Sequence, residues 1–170
     1  MAPQERIGRA YDLYGAQLYR VAFSLLQSRE SAEDAVQDAF ARYLTYDKPF
    51  RDDEHEKAWL IRVTINRCRD LQRAGTVRAY TPLEDLLHHP GQPDDGWQEG
   101  QPVLQAVLAL QAVLALPEKY RTVLVLHGLE GQPVDVIASE LRVTPSAVKM
   151  RLKRGREMLQ QALAKEDIHV

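Results

Sequence analysis

Cysteine is almost absent from the 170-residue chain, which contains only Cys68. A lone cysteine cannot form an internal disulfide, and no second cysteine or histidine stands near it at the spacing of metal ligands. A disulfide-stabilised scaffold and a zinc site are therefore excluded as starting hypotheses. We predict that the chain holds no metal ion and no other cofactor.

Long apolar runs are also missing. The longest, Val103 to Leu116, is well short of the ~20 residues that cross a bilayer, and it includes Gln105 and Gln111. The N-terminal residues contain Glu5 and Arg6 but no apolar segment followed by a small-residue cleavage site, so we expect no secretory signal. The expected protein does not insert into membranes and stays in the cytoplasm.

Catalytic motifs are lacking as well. The chain has no phosphate-binding loop and no nucleophile motif, and His55, His127 and His169 are isolated from one another. The one histidine-aspartate cluster comprises His88, His89, Asp94 and Asp95. It lies in a stretch rich in proline and glycine, which gives no rigid support for acid-base or metal chemistry. We predict no catalytic residues and no enzymatic activity.

Charge is present but unevenly distributed. With 22 basic and 24 acidic residues the net charge is −2, and this average disfavours a partner as acidic as nucleic acid. However, residues 79–118 contain six acids and no lysine or arginine, residues 142–156 contain six cations and no acid, and residues 57–73 contain five cations and one acid. Two basic segments separated by an acidic one are expected where two surfaces contact phosphate groups. Ordinary solvated helix faces are the alternative.

Seven proline and glycine residues fall between Thr81 and Pro102. No helix or strand tolerates this density of breakers, and the stretch is longer than the ~12 to 15 residues usual for a loop inside a compact domain. We therefore predict a flexible acidic linker over 77–102 between two domains, 1–76 and 103–170. Apolar residues on both sides recur with helical spacing, which predicts an all-α fold of two small helical domains.

The first domain is predicted to contain three helices. The first spans Ile7 to Leu26 and has Tyr11 on its apolar stripe. The second begins with Ser31 as the N-cap and has a core face that continues to Leu44. Its opposite face is open to solvent or to a protein partner and consists of Asp34, Gln37, Asp38 and Arg42.

The third helix, from about Lys57 to Arg73, has a polar stripe. At ~100° per residue, one narrow face contains Arg62, Asn66, Arg69 and Arg73. Guanidinium groups without matching acids repel one another unless an anion is supplied, and an asparagine can bond to a base edge. The stripe predicts contact with nucleic acid, and a solvated basic face is the alternative.

The second domain opens with a duplication, in which QAVLAL occurs at 105–110 and again at 111–116. Because a period of six does not match the helical period, apolar residues spread around the helix, and we predict a buried packing helix. A further helix is predicted from Glu118 to Leu129, with Pro117 in its first turn and Gly131 after its end.

Residues 134–159 have the layout of a helix-turn-helix. A short helix from Val134 to Leu141 precedes a three-residue turn, and Thr144 with Pro145 starts a second helix. The core stripe of that helix is Val148, Leu152, Gly155 and Leu159. Its outward residues are expected to enter a DNA major groove, and they are Ser146, Lys149, Met150 and Lys153. The flanking cations are expected to reach phosphates, and they are Arg151, Arg154 and Arg156.

These segments resemble a known family. The stretch from Leu116 to Leu159 resembles region 4 of the sigma-70 family, in the small extracytoplasmic-function (ECF) group of bacterial transcription initiation factors. The stretch from Ser31 to Leu44 resembles region 2.2, and Phe50 to Arg73 resembles regions 2.3 and 2.4. The shared W-L-x-x-I/V-x-x-N-x-x-x-D-x-x-R pattern is formed by Trp59, Leu60, Val63, Asn66, Asp70 and Arg73.

The resemblance implies a sigma factor that binds core RNA polymerase and directs promoter recognition and melting. It implies that the β′ clamp helices of the polymerase dock on Asp34, Gln37, Asp38 and Arg42, and that the β flap is a second polymerase contact. The melted -10 element would contact Trp59, Arg62, Asn66, Arg69 and Arg73. The -35 element would contact the outward residues of the recognition helix and its three flanking arginines. An anti-sigma factor is a further implied partner.

Two positions depart from the family pattern, and one position has two interpretations. Arg142 stands where region 4 often has glycine, so the turn must be formed without the conformational freedom of glycine. Met150 stands where a small polar residue is common. Trp59 could be a wedge against melted DNA or a core residue.

Two other functions compete with this interpretation. A helix-turn-helix regulator that acts without the polymerase would leave the basic stripe of the third helix unexplained. A protein-binding scaffold would leave the basic recognition helix unexplained.

Overall fold

The structure is a computed structural model that describes residues 2–83, 85 and 101–165, and only the backbone of 101–106. Helices account for most of these residues and none of them lies in a β-strand, so the prediction of an all-α fold is confirmed. Most of the predicted linker lies outside the described residues. Also outside them are Glu84, Glu99, His169 and all four residues of the histidine-aspartate cluster.

Three long helices form the first half of the chain: α1 (Pro3–Leu26), α2 (Arg29–Thr45) and α3 (Asp53–Ala74). Each packs on the other two around a core that includes Leu18, Phe40 and Leu60. Tyr11 and Leu44 were predicted on core faces, but they are 60% and 46% exposed. The ring of Tyr11 lies 5.5 Å from that of Phe40, so it covers the core from the solvent side.

The start of α2 differs from the sequence prediction. Ser28, not Ser31, is the N-cap, and its side chain accepts a hydrogen bond from the Ser31 backbone N–H at 3.3 Å. The prediction was wrong by three residues because both serines can cap a helix. Ser31 is buried in the first turn, and its Oγ accepts the backbone N–H of Arg78 at 2.8 Å.

Helix α3 starts earlier than predicted because Asp52 is its N-cap. The Asp52 carboxylate accepts the N–H of His55 at 2.8 Å, and the acidic first turn complements the helix dipole. Glu56, predicted in a polar loop, is buried in that turn and accepts a 2.8 Å hydrogen bond from the hydroxyl of Tyr43. The helix ends at Ala74, and the next residue, Gly75, has a φ of 68°, the left-handed conformation that glycine adopts without strain.

The second half contains four helices and one π-helical segment: α4 (Gln101–Leu114), α5 (Glu118–Leu124), the π segment (Val125–Leu129), α6 (Val134–Leu141) and α7 (Pro145–Lys165). Residues 107–113 of α4 are only half-buried, so the prediction of a buried packing helix was wrong there. The six-residue repeat spreads its apolar residues around the helix, and α5 and α7 pack against it. The single helix predicted up to Leu129 changes to π geometry after Leu124.

The two halves are in contact. Helix α3 packs against α6, and α1 packs against α5 and the π segment. This arrangement was not predicted, because apolar periodicity indicates which face of a helix is buried but does not identify its partner. The contacts bring α6 of the helix-turn-helix beside the polar stripe of α3.

Candidate nucleic-acid and polymerase interfaces

The recognition helix α7 is fixed by its cap and its buried stripe. The Thr144 hydroxyl accepts the backbone N–H of Ala147 at 3.1 Å, which is the predicted cap. Val148 and Leu152 are buried, and the Cα of Gly155 lies so close to α5 that an added Cβ would be 3.2 Å from Leu124. A side chain at 155 would therefore require the Leu124 side chain to shift by a few tenths of an ångström.

The outward face of α7 is exposed as predicted. Arg151 is half-buried, and the other six residues of the predicted surface are exposed: Ser146, Lys149, Met150, Lys153, Arg154 and Arg156. Among the residues that the structure describes, none of its five cations forms an ion pair. One shallow groove brings together Ser146, Lys149, Met150, Lys153 and Arg154, with Glu157 at its edge. Glu157 was not among the residues predicted for this surface, although a wheel projection places it one turn from Lys153.

The turn before α7 has the strained residue that the sequence indicated. Arg142 has φ 59° and ψ 44°, which is the left-handed conformation that costs a non-glycine residue about 1 kcal/mol. The turn closes through a 3.0 Å hydrogen bond from the N–H of Val143 to the carbonyl of Ala138. The geometry of the helix-turn-helix is thus reached without glycine.

The polar stripe of α3 is less exposed than that of α7. Arg62, Asn66 and Arg69 are half-buried, and Arg73 is exposed. The expectation that the stripe lacks matching acids was wrong for Arg73, which forms an ion pair with Asp70. The two residues are three apart on one helix, so their side chains are neighbours.

Trp59 is part of an aromatic cluster, 8% exposed. Its ring centroid lies 4.6 Å from that of Tyr46 and 5.7 Å from that of Phe50, and Tyr43 closes the cluster from α2. Burial removes water from Tyr43, and Glu56 accepts its hydrogen bond, so its pKa rises to about 12. This position favours the core interpretation of Trp59.

The polar face of α2 is partly covered by two arginines that the sequence analysis missed. Arg67 of α3 forms a 2.6 Å ion pair with Asp38, and Arg78 lies 3.6 Å from Asp34. Gln37 and Arg42 remain exposed. Neither pairing could be found from helical spacing, because both join residues from different elements.

Residues 78–81, the first part of the predicted linker, run along the junction of α1 and α2. The N–H of Thr81 donates to the carbonyl of Gln27 at 2.9 Å, and the Thr81 hydroxyl accepts the N–H of Arg29 at 3.0 Å. Together with the Arg78 contacts, these bonds hold the chain on the three-helix half.

Within residues 2–83, 85 and 101–165, no three His, Cys, Asp or Glu side chains come together at metal-binding distance. Burial raises the pKa of the Cys68 thiol to about 12, so it stays protonated. No helix in the described part of the chain has the length and apolarity to span a bilayer.

Comparison with known proteins matches both halves to one family. The family model described as "Sigma-70 region 2" matches residues 10–77, and "Sigma-70, region 4" matches residues 106–159. The chain is 30% identical to the ECF RNA polymerase sigma factor SigW of Bacillus subtilis, over 94% of this chain and 90% of that protein. It is 32% identical to the ECF RNA polymerase sigma factor SigE of Mycolicibacterium smegmatis, over 87% of this chain and 58% of that protein.

A solved structure shares the fold. It is the sigma factor RpoE in complex with the anti-sigma factor NepR from Bartonella quintana, with a TM-score of 0.63 at 22% identity over 94% of this chain and 98% of that chain. The 170-residue chain itself belongs to the ECF group of the sigma-70 family. Members of this family are the subunits that bind core RNA polymerase and direct transcription initiation. These matches favour the polymerase subunit over the stand-alone regulator.

Proposed function

We propose that this sigma factor divides its work among three surfaces. In this proposal, the outward face of α7 reads the -35 element as duplex, the polar stripe of α3 contacts the melted -10 element, and the polar face of α2 docks on the β′ clamp helices. The proposed units are 1–76 for the polymerase and the -10 element, 77–102 as the linker, and 103–170 for the -35 element and the β flap.

The -35 surface is supported by one observation above all, the exposed and unpaired cations of α7. Buried Val148 and Leu152 fix the helix on its support, so the opposite side projects as a rigid row. Lys149 and Lys153 can donate to guanine O6 and N7, and the exposed Met150 can contact a thymine methyl. Arg151, Arg154 and Arg156 flank the row, where phosphates run along a groove.

The proposed -10 surface is supported by side chains of α3 whose polar groups have no hydrogen-bond partner among the described residues. The side chains of Asn66 and Arg69 are half-buried and form no hydrogen bond or ion pair with the described residues, so their polar groups remain available to a ligand. Single-stranded bases expose the edges that such groups recognise. Arg62 and Arg73 extend the surface along the helix. Trp59 lies on the buried side of the same helix and supports this surface through the aromatic cluster.

The polymerase surface is supported by exposure and charge. Gln37 and Arg42 are exposed, and the carboxylates of Asp34 and Asp38 are about half-exposed although each lies near an arginine. A mixed polar face of this kind suits a charged helical partner, because complementary charges fix the register of docking.

Other properties follow from this role. The proposed protein is a non-enzymatic factor without a cofactor, because the polymerase supplies the chemistry, and it works in the cytoplasm, where the polymerase is found. We propose promoter DNA as its nucleic-acid partner. The RpoE neighbour was solved with its anti-sigma factor NepR, which supports the proposal that an anti-sigma factor also binds this chain.

The test is capture of core RNA polymerase by the tagged full chain, followed by run-off transcription. We expect retention of the polymerase and promoter-dependent transcripts, with weak duplex binding by the chain alone. Tight operator binding by the isolated chain, without any effect of the polymerase, would contradict the proposal and favour the stand-alone regulator.

The α2 surface has its own test, Asp38→Arg. The reversal places a cation beside Arg67, and we expect polymerase binding to fall by roughly tenfold or more while circular dichroism shows a folded chain. Arg67→Gln is the matched control, since it breaks the same ion pair but leaves the charge of α2 unchanged. An equal loss in both variants would assign the effect to the ion pair rather than to docking.

A further inference from the structure

Residues 78–81, the strap, complete the N-terminal end of α2. The backbone N–H of Arg78 donates to the Ser31 hydroxyl at 2.8 Å. The Thr81 hydroxyl accepts the backbone N–H of Arg29, the first residue of α2, at 3.0 Å. The first N–H groups of a helix have no partner within the helix, so the strap satisfies a donor that α2 itself cannot. The strap is therefore fixed on the helix rather than laid loosely beside it.

The strap carries one guanidinium group onto the polar face of α2. Nη1 of Arg78 donates to the Glu30 carboxylate at 3.2 Å, and Nη2 lies 3.6 Å from the Asp34 carboxylate. Glu30 and Asp34 are four residues apart, so their side chains are neighbours on the helix surface. The Arg78 side chain is nevertheless 59% exposed. It lies over the first turns of the face that is proposed to bind the polymerase.

Arg78 differs from Arg67, the other arginine near this face. Arg67 donates through Nε to the Asp38 carboxylate at 2.6 Å, and its side chain is 42% exposed. The ionic contacts of Arg78 are longer and its side chain is more exposed, so the described residues leave some of its five N–H donors for another acceptor. Because the strap holds its backbone, the group is also preorganised, and binding through it costs less conformational entropy.

We propose that Arg78 is a further polymerase-binding residue, which the strap positions to donate hydrogen bonds to an acidic side chain of the β′ clamp helices. The inference rests on the proposed function of the polar face of α2 and extends that surface beyond the helix. With Arg78 included, the face begins and ends with a cation, because Arg42 lies in the last turn of α2. Asp34 and Asp38 lie between the two cations. A partner with acids at both ends and a cation in the middle complements this order of charges, which fixes where the two surfaces align.

The test measures the affinity of the full chain for core RNA polymerase. Arg78→Gln removes the charge but keeps a hydrogen-bond donor, and we expect about three- to tenfold weaker binding. Arg78→Glu places a third acid beside Glu30 and Asp34, and we expect a loss of about tenfold or more. Both losses should shrink as the salt concentration rises, because salt screens exposed charges. Circular dichroism checks folding, and Arg78→Gln keeps the test decisive if Arg78→Glu is unstable.

Glu30→Gln is the matched control. It breaks the same ion pair but leaves the cation of the strap in place, so we expect an affinity within about twofold of the wild-type value. Equal losses in Arg78→Gln and Glu30→Gln would assign the effect to the ion pair and overturn the inference.

Thr81 tests whether the strap positions the guanidinium. Thr81→Val removes the hydroxyl that accepts the Arg29 N–H but has a similar shape. We expect about two- to threefold weaker polymerase binding when Arg78 is present, and no further loss in the Arg78→Gln background, because the strap acts through Arg78. Equal losses in the two backgrounds would show that Thr81 acts independently, and would overturn the positioning role of the strap.

The outcomes separate this inference from the proposed function. If Asp38→Arg abolishes polymerase binding while both Arg78 variants bind as the wild type does, the inference fails and the proposed function stands. Normal polymerase binding by the Arg78 variants with a loss of promoter-dependent transcription alone would assign Arg78 to DNA and overturn the inference. Failure of the wild-type chain to bind polymerase would overturn the proposed function and the inference with it.

Discussion

Helices α3 and α7 are both basic, but they use their cations differently. Of the five cations of α3, Lys57, Arg67 and Arg73 form ion pairs with described acids. The five cations between Lys149 and Arg156 form none within the same part of the chain, and four of them are exposed. Charge counts along the sequence made the two segments look alike. The difference lies in burial, because α3 packs on two helices of its own half and on α6, whereas α7 leaves one side in water.

This difference supports the different tasks proposed for the two helices. A row of exposed, unpaired cations on a rigid helix suits a duplex groove, where phosphates and base edges are available without rearrangement. A half-buried stripe with an aromatic support suits a ligand that is itself deformed, such as an unpaired strand. Four predictions, from the largest expected effect to the smallest, test the contrast.

The first prediction concerns the apolar member of each surface. Trp59→Ala should lower the free energy of unfolding by about 3 to 5 kcal/mol, because it empties the aromatic cluster. Met150→Ala should change it by less than about 0.5 kcal/mol, because Met150 is 66% exposed. Urea unfolding followed by circular dichroism measures both. Small effects in both variants would place Trp59 outside the core. The apolar residues of the two surfaces would then contribute equally little to the free energy of unfolding.

The second prediction concerns Glu140 of α6, which is 2% exposed and lines a cavity together with Arg62 of the α3 stripe. Burial raises its pKa from 4.5 to about 8, while Gln132, Lys57 and Arg62 oppose the shift. The folded state therefore holds this proton more tightly than the unfolded state does. This contribution to stability is complete below pH ~4.5 and is lost as the pH rises through about 8, a change of roughly 4 to 5 kcal/mol.

Glu140→Gln should remove this dependence. Urea unfolding at several pH values between 5 and 9 should give a flatter curve for the variant than for the wild type, with the larger gain in stability at the alkaline end. Parallel curves would mean that Glu140 carries no raised pKa.

The third prediction separates base reading from phosphate contact on α7. With a promoter defined by run-off transcription, Lys149→Ala should cost holoenzyme binding roughly 1 to 3 kcal/mol and relax specificity at one or two base pairs. Arg154→Ala should weaken binding to all sequences equally and reduce the salt slope by about one. Gel-shift titrations at several salt concentrations measure both, with Lys165→Ala as the control. A uniform loss in Lys149→Ala would remove it from the base-reading set.

The fourth and smallest effect lies in the turn before α7. Arg142→Gly should raise the free energy of unfolding by about 1 kcal/mol, because glycine adopts φ 59° without strain. Gly131→Ala is the opposite case, since it places a Cβ at φ 68° with no atom in its way, and it should destabilise by a similar amount. Thermal unfolding compares the two. A destabilised Arg142→Gly would indicate that the arginine side chain makes a contribution larger than the strain.

The sequence predicted local features well where one residue type has one strong preference. The bounds of α6, the Thr144 cap and the exposed side of α7 follow from turn residues and helical period alone. It failed where two residues of the same type compete, as with Ser28 and Ser31, and where a polar residue is buried by a distant partner, as with Glu56 and Tyr43.

Contacts between separate elements were beyond the reach of the sequence. Arg20 of α1 and Glu130, after the π segment, form an ion pair although they are 110 residues apart, and neither stands out among the charges near it in the sequence. The pairing of Asp38 with Arg67 likewise depends on how α2 and α3 cross. The residues of the candidate surfaces were therefore predictable individually, whereas their ionic environment required the packing of the helices.

The buried Cys68 has a practical consequence for measuring the distance between the halves. With a pKa of about 12, its thiol is almost never ionised near pH 7, and alkylating dyes react with the thiolate. A cysteine introduced at an exposed position would have an ordinary pKa and would be labelled far faster. Two introduced cysteines, one on each half, would therefore carry dyes that report the distance between the halves directly, without first replacing Cys68.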